Sequence, residues 1–311
     1  MATQSLCIGT RGSALARAQT AHLVAQLATA HPGRGIETVV IRTSGDRITD
    51  RPLYQLGGKG LFVKELEQAL LDGAIDVAVH SYKDVPVTMP LVPMENLVIA
   101  AVPPREDARD ALVSPSARTI GELPAGARVG TGSLRRRCQL LFRRGDVIVE
   151  AMRGNIDTRV RKLREGTSDG IILAMAGLKR AGLFDPAIMT PIQFAEMLPA
   201  PGQGALGIMC RANDPQTRQM LAPLHDPATA LCVDAERAVV AELQGDCTSP
   251  IAALAELIDG KLRLQIAVGA PGGEPPVIAI TAEDLPPQPA EAAAKAVLKL
   301  TAAGGVNLLK G

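Results

Sequence analysis

Ala127-Arg128-Val129-Gly130-Thr131-Gly132-Ser133-Leu134-Arg135-Arg136-Arg137 reads as a strand, a glycine turn and the first turn of a helix. The same order recurs on both sides of it. Downstream, a strand is expected at Val147 to Val149, a helix from Asn155 and a strand at Gly170 to Leu173. Upstream, Leu6-Cys7-Ile8, a helix from Ser13, a strand at Glu37 to Ile41, a helix from Leu61 and a strand at Ile75 to Val79 repeat the pattern. Phe62, Leu66, Ala69 and Leu70 share one face at helical spacing. Alternation of this kind predicts α/β domains with mainly parallel sheets. Two Pro-rich passages, at Val102 to Asp107 and Leu198 to Gly204, read as crossings between units. Beyond the second, a helix at about Ala228 to Leu243 precedes apolar runs at Ile251 to Ile258 and Leu262 to Val268, and a helix lies near Ala292 to Ala303. Asp259-Gly260 between those runs predicts a hairpin turn, so the third unit is α+β.

Composition narrows the function classes. The chain has 311 residues, of which 47% are hydrophobic and only 2% aromatic, with no Trp, which argues against base-stacking surfaces. No long apolar run suits a membrane helix and no basic leader precedes one at the N-terminus. Five scattered cysteines fit a reducing compartment, so a cytoplasmic location is expected. The net charge of +1 hides an asymmetry: 13 of the 24 arginines fall between Arg105 and Arg164, a stretch of +7, which leaves −6 for the remainder. Such a field attracts small polyacids or nucleic acid.

No phosphate-binding glycine loop, zinc motif or paired C-x-x-C is present, and the four histidines show no ligand spacing, so no metal is expected. Gly166-Thr167-Ser168-Asp169-Gly170 matches G-x-S-x-G but precedes a strand, where a nucleophile elbow precedes a helix. Three arginines at the start of a helix oppose its dipole, which makes a bound anion the expected compensation, with Ser133 as N-cap. Gly57-Gly58-Lys59-Gly60 and Thr10-Arg11-Gly12-Ser13 offer similar turns with a cation beside them, and three such sites on two domains suggest a cleft. His80-Ser81-Tyr82-Lys83-Asp84-Val85-Pro86 follows a strand and places Asp84 among cations, where it can stabilise positive charge or pass a proton. Cys247 lies in a loop, whereas the other four cysteines fall in strand-like or helix-like runs. A loop thiol is the better candidate for covalent chemistry.

Taken together, Thr10-Arg11-Gly12-Ser13-Ala14-Leu15-Ala16, Gly57-Gly58-Lys59-Gly60-Leu61-Phe62, His80 to Pro86, Gly130 to Arg136, Arg153-Gly154-Asn155 and Leu198 to Gly204 resemble the porphobilinogen deaminase family, in the family's order. The resemblance implies two periplasmic-binding-protein-like α/β domains, the first from 1–101 with 202–222 and the second from 102–201, and a cofactor-carrying α+β domain at 223–311. It implies a dipyrromethane cofactor tethered to Cys247 by a thioether. It implies that four porphobilinogen molecules are added to it, with loss of ammonia, before hydrolysis releases hydroxymethylbilane. It implies that Asp84 assists ammonia loss, stabilises the cationic electrophile and helps deprotonate the ring. It assigns cofactor binding to Lys83, Asp84, Ser133, Arg135 and Arg136, and substrate binding to Arg11, Ser13, Arg153, Arg159 and Lys59, the last on a loop over the cleft. A monomer without nucleic-acid or membrane partners is expected.

Three positions depart from the family's usual residues: Asp246 for Gly, Tyr82 for Met and Gly132 for Ser. A carboxylate at 246 is expected to raise the neighbouring thiol's pKa, and Tyr82 to change packing only. Two rival readings are a non-catalytic anion-binding module, which needs no loop cysteine, and a nucleic-acid binder, which would bind DNA in a salt-dependent manner.

Overall fold

The computed structural model describes residues 5–43, 63–87, 96–246 and 248–310. Lys59, Cys247 and the glycine turn at 57–60 lie outside the described residues. The strands run β1 (Leu6–Arg11), β2 (Ile36–Ile41), β3 (Val77–Ser81), β4 (Leu97–Ala101), β5 (Asp110–Val113), β6 (Arg128–Gly130), β7 (Ile148–Glu150), β8 (Gly170–Ala174), β9 (Met189–Pro191) and β10 (Leu206–Arg211). They form two sheets of one design, ordered β2-β1-β3-β10-β4 and β7-β6-β8-β5-β9. In each, the βαβ strands pair in parallel and a strand delivered by a crossing segment inserts antiparallel to its neighbours. The expected parallel pairing therefore holds for β1, β2 and β3 and for β6, β7 and β8, while the inserted strands β5 and β10 make the sheets mixed.

The helices of these units are α1 (Ala14–Ala30), α2 (Lys64–Leu71), α3 (Leu134–Arg143), α4 (Ile156–Arg164), α5 (Met175–Arg180) and α6 (Pro215–Leu221). Strand β3 opens with the apolar run Val77-Ala78-Val79 because both of its faces are covered there. Val77 and Val79 pack with Leu23 and Leu27 of α1, and Ala78 packs with Leu66 and Leu70 of α2. The described part of the helix expected from Leu61 begins at Lys64, after Val63.

The third sheet, β11 (Ile251–Ile258), β12 (Lys261–Gly269) and β13 (Val277–Leu285), is antiparallel. Asp259 and Gly260 both adopt positive φ, 48° and 76°, which gives the twist that a two-residue hairpin needs. Helices α7 (Pro227–Glu242) and α8 (Pro289–Ala302) cover this sheet, burying Val239, Ala292, Ala296 and Leu300 against Leu264 and Ile266, and α9 (Gly305–Lys310) closes the chain.

The two crossings run side by side. Gly204 has φ 87°, and a side chain there would run into the Glu106 carbonyl, so glycine permits the close approach. Because the crossings deliver β5 to one sheet and β10 to the other, the residues beside them sit where the two α/β units meet.

Candidate active site

The carboxyl ends of the parallel strands carry the candidate residues. Arg11 closes β1, and Ser13 caps α1 by accepting from the Ala16 amide at 3.2 Å. Lys83 and Asp84 form a 3-10 turn with Tyr82 immediately after β3. On the second unit Ser133 caps α3, accepting from the Arg136 amide at 3.4 Å. Arg153 follows β7, and Arg159 lies on α4, where its Nε donates to the Gly154 carbonyl at 2.8 Å. The two edges touch: a side chain at Gly177 on α5 would come within 3.7 Å of Leu15 on α1.

Arg135 and Arg136 are buried, and the protein itself supplies part of the anionic compensation that these arginines call for. Asp110, at the start of β5 and fully buried, accepts from Arg135 Nη1 at 2.7 Å, from Arg136 Nη2 at 2.8 Å and Nε at 3.1 Å, and from Gln203 Nε2 at 2.8 Å. Arg135 Nη1 also donates to the Leu198 carbonyl at 2.7 Å, and Arg136 Nη1 to that of Ile172 at 3.0 Å. Burial alone would push the Asp110 carboxyl up, but the two guanidinium groups outweigh it and hold it well below the usual range. Arg137, the third arginine of that turn, pairs with Glu274 and donates to the Val149 carbonyl at 3.2 Å.

One carboxylate does not neutralise this cluster. Lys83 belongs to it: burial lowers its pKa to about 8, Asp84 and Asp110 oppose that shift, and Arg136 and Arg135 add to it. Its ammonium donates to Gln203 Oε1 at 3.3 Å. The positive field extends to Arg159, lowered to about 10 by burial and by the charges of Arg136 and Arg153. The Nε of Arg135 is buried and has no hydrogen-bond partner among the described residues. Asp84 is exposed beside these cations. Arg11 acts on another neighbour, since burial first and the Arg11 charge second lower the pKa of the buried His80 on β3 to about 4.

The structure thus brings Lys83, Asp84, Arg135 and Arg136 together, with Arg153 and Arg159 alongside, and places Arg11, Ser13 and Ser133 at neighbouring strand ends. Three residues not singled out from sequence complete the arrangement: Asp110, Gln203, and Gln19, whose Nε2 donates to Ser81 Oγ at 3.0 Å. An acid heading the apolar run Asp110-Ala111-Leu112-Val113 was the one available signal, since a buried carboxylate demands cations.

The described cysteines are poor nucleophiles. Burial pushes Cys138, Cys210 and Cys232 up to about 11, and burial followed by the charges of Asp76 and Glu37 raises Cys7. Asp246, next to Cys247, turns its Oδ1 onto the residues that follow, accepting from the Thr248 amide at 2.9 Å, Thr248 Oγ1 at 2.7 Å and Ser249 Oγ at 3.1 Å. Tyr82 packs with Val85, Val102 and Val233, its hydroxyl donates to Asp234 Oδ1 at 3.5 Å, and the Arg237 guanidinium stacks 4.5 Å from its ring centre. A side chain at Gly132 would come within 3.2 Å of the Met152 carbonyl. The Gly166 to Gly170 turn joins α4 to β8 with Ser168 buried, which is not an elbow geometry. Among the described residues no cluster of His, Cys, Asp and Glu is placed to hold a metal, and no helix is long and apolar enough to cross a membrane.

Comparison with known proteins places this geometry. Residues 6–219 match the family model described as "Porphobilinogen deaminase, dipyromethane cofactor binding domain", and residues 230–302 match "Porphobilinogen deaminase, C-terminal domain". A porphobilinogen deaminase from Syntrophotalea carbinolica is 50% identical over 264 residues, covering 85% of this chain and 82% of the relative. One from Syntrophobacter fumaroxidans is 48% identical over 274 residues, covering 88% and 87%. Among solved structures, the periplasmic aliphatic sulphonate binding protein SsuA from Escherichia coli aligns at a TM-score of 0.39 and 15% identity, covering 78% of this chain and 71% of its own, too slight a likeness to carry an argument. With both family models and half-identical relatives spanning most of its length, the chain belongs to the porphobilinogen deaminase family.

Proposed function

We propose that this enzyme performs the deaminase reaction of its family on porphobilinogen through the cationic cluster built on Asp110. In this reading Lys83, Ser133, Arg135 and Arg136 hold the carboxylates of a dipyrromethane cofactor. Arg11, Ser13, Arg153 and Arg159, with Lys59 from outside the described residues, take those of the incoming substrate. The observation that carries the reading is the charge excess: Arg135 and Arg136 converge on one buried carboxylate, Lys83 joins them through Gln203, and Arg153 and Arg159 lie beside them at the meeting of two sheets. A site evolved only for stability would balance those charges.

The donor set fits the cofactor. Carboxylate arms need fixed cations and forked donors, and the buried Nε of Arg135 is a donor still to be used. When bound, the cofactor supplies a tethered pyrrole to which substrate units are joined. A carboxylate arriving beside Lys83 favours its charged form and offsets the burial that depresses it. Asp84 is exposed beside Lys83, so its carboxylate can meet a substrate amine, stabilise positive charge there and exchange a proton with solvent. Cys247 is the proposed tether, supported by the raised pKa of the four described thiols. We further read the units as 1–101 with 202–222, 102–201 and 223–311, and the enzyme as a cytoplasmic monomer, which size-exclusion chromatography with light scattering tests.

Two variants test the reaction. Asp84→Asn is expected to lower kcat by about 10²–10⁴, while an exposed position leaves stability within about 0.5 kcal/mol of wild type. Wild-type turnover would remove Asp84 from the mechanism. Cys247→Ala is expected to purify without added mass and without activity, and an active, unmodified protein would refute the tether.

A further inference from the structure

Gln203 sits in the second crossing, completely buried, with every polar atom used. Its side-chain nitrogen donates to the Ala108 carbonyl and to Asp110 Oδ1, both at 2.8 Å, and its side-chain oxygen accepts from Lys83 Nζ at 3.3 Å. Its amide nitrogen donates to the Ala200 carbonyl at 2.9 Å, and its own carbonyl accepts from Arg105 Nε at 2.8 Å. The partners fix the orientation of the side-chain amide, because a carbonyl and a carboxylate require donors and an ammonium requires an acceptor. The flanking glycines press this segment onto the site: at Gly202, φ 72°, a side chain would come within 3.3 Å of the Lys83 amide nitrogen.

Lys83 belongs to the first sheet's edge, whereas Asp110 and its two arginines belong to the second unit. Gln203 joins the two groups through one side chain. We propose that Gln203 is the positioning residue for Lys83, holding its ammonium in register with the Arg135 and Arg136 pair across the junction of the two α/β units. Glutamine suits the task because it offers an acceptor to a cation and donors to an anion at once. Glutamate would lose both donors and set a second carboxylate against Asp110, and methionine would keep the length but offer Lys83 only a weak acceptor.

The proposal rests on the reading of Lys83 as a carboxylate ligand, so its test is read at Lys83 itself. The titration of the Lys83 amine is followed in the purified enzyme by pH-dependent acetylation and peptide mass spectrometry, for wild type, Gln203→Glu and Gln203→Met. The midpoint is expected to rise by roughly 1 unit or more in Gln203→Glu, which adds an opposite charge, and to fall in Gln203→Met, which removes an acceptor for the charged form. Loosening of the fold alone would not move the two in opposite directions. In parallel, kcat/KM of Gln203→Met is expected to fall about tenfold, a cost on the order of one charged hydrogen bond, and the same substitution in a Lys83→Met background to cost nothing further. An unchanged Lys83 midpoint in both variants, costs that multiply independently of Lys83, or failure of even the near-isosteric Gln203→Glu to fold would each overturn the proposal. Normal kinetics in Lys83→Met alone would instead refute Lys83 as a ligand, and the acetylation midpoints would still decide whether Gln203 positions it.

Discussion

Two buried carboxylates anchor the junction of this molecule, and they are paired differently. Glu236 on α7 accepts from both terminal nitrogens of Arg105, at 2.6 and 3.1 Å, and from the amides of Gly202 at 2.7 Å and Ala255 at 2.9 Å. That is one acid, one arginine and two neutral donors. Asp110 faces two arginines and, through Gln203, a lysine. Both are fully buried, so both carry a desolvation cost. The difference is the remainder: around Glu236 the charges cancel, while around Asp110 positive charge is left over, and left-over charge in a shielded place is what an anionic ligand can complete. The two are linked, since Arg105 also donates to the Gln203 carbonyl.

The largest effect should come from breaking the balanced cluster. Arg105→Met strands Glu236 without its cation and is expected to cost about 3–5 kcal/mol of stability, measured by denaturant unfolding. A cost below about 1 kcal/mol would mean that the amides of Gly202 and Ala255 suffice. A further buried group, His80, extends the contrast to a base that burial and a neighbouring cation hold neutral. Burial and the Arg11 charge lower its pKa to about 4, below the ordinary 6.5, and its Nε2 has no partner among the described residues. The unfolded chain therefore takes up the proton first as pH falls. Stability contributed by neutral His80 is complete above pH 6.5 and is lost towards pH 4, by roughly 3 kcal/mol in all. Comparing the unfolding free energies of wild type and His80→Gln across that window should show a shallower slope in the variant, and parallel slopes would contradict the assignment.

Local chemistry explains what the sequence made legible. Asp259-Gly260 was readable because only a few residue pairs adopt two successive positive φ values, and Ser133 because a hydroxyl before a helical run is a cap wherever it occurs. The ordered motifs likewise single out Lys83, Asp84, Arg135 and Arg136, which the structure brings together. Strands β5 and β10 were not legible. Each is a short apolar run whose sheet is chosen by a crossing and a long-range pairing, such as Ile208 with Val79 or Leu112 with Ile172. Strand β13 was missed for a related reason, since much of Val277–Leu285 is only half buried and its alternation is weak. Asp110 and Gln203 escaped because their partners lie 25 and 93 positions away in the chain. The arginines announced that an anion was needed, but no spacing rule could say that the protein supplied half of it.

The smallest structural effect should come from removing one cation of the surplus, and the same change tests the account most directly. In Arg135→Met, Asp110 keeps Arg136 and Gln203, so the loss of stability is expected to stay near 1–2 kcal/mol. The intact mass of the purified protein is the decisive reading. Wild type should exceed its 32.5 kDa polypeptide by one dipyrromethane unit, and folded Arg135→Met should be largely at polypeptide mass. A folded Arg135→Met carrying the full adduct would contradict the claim that the positive charge left over around Asp110 is there to hold the cofactor's carboxylates.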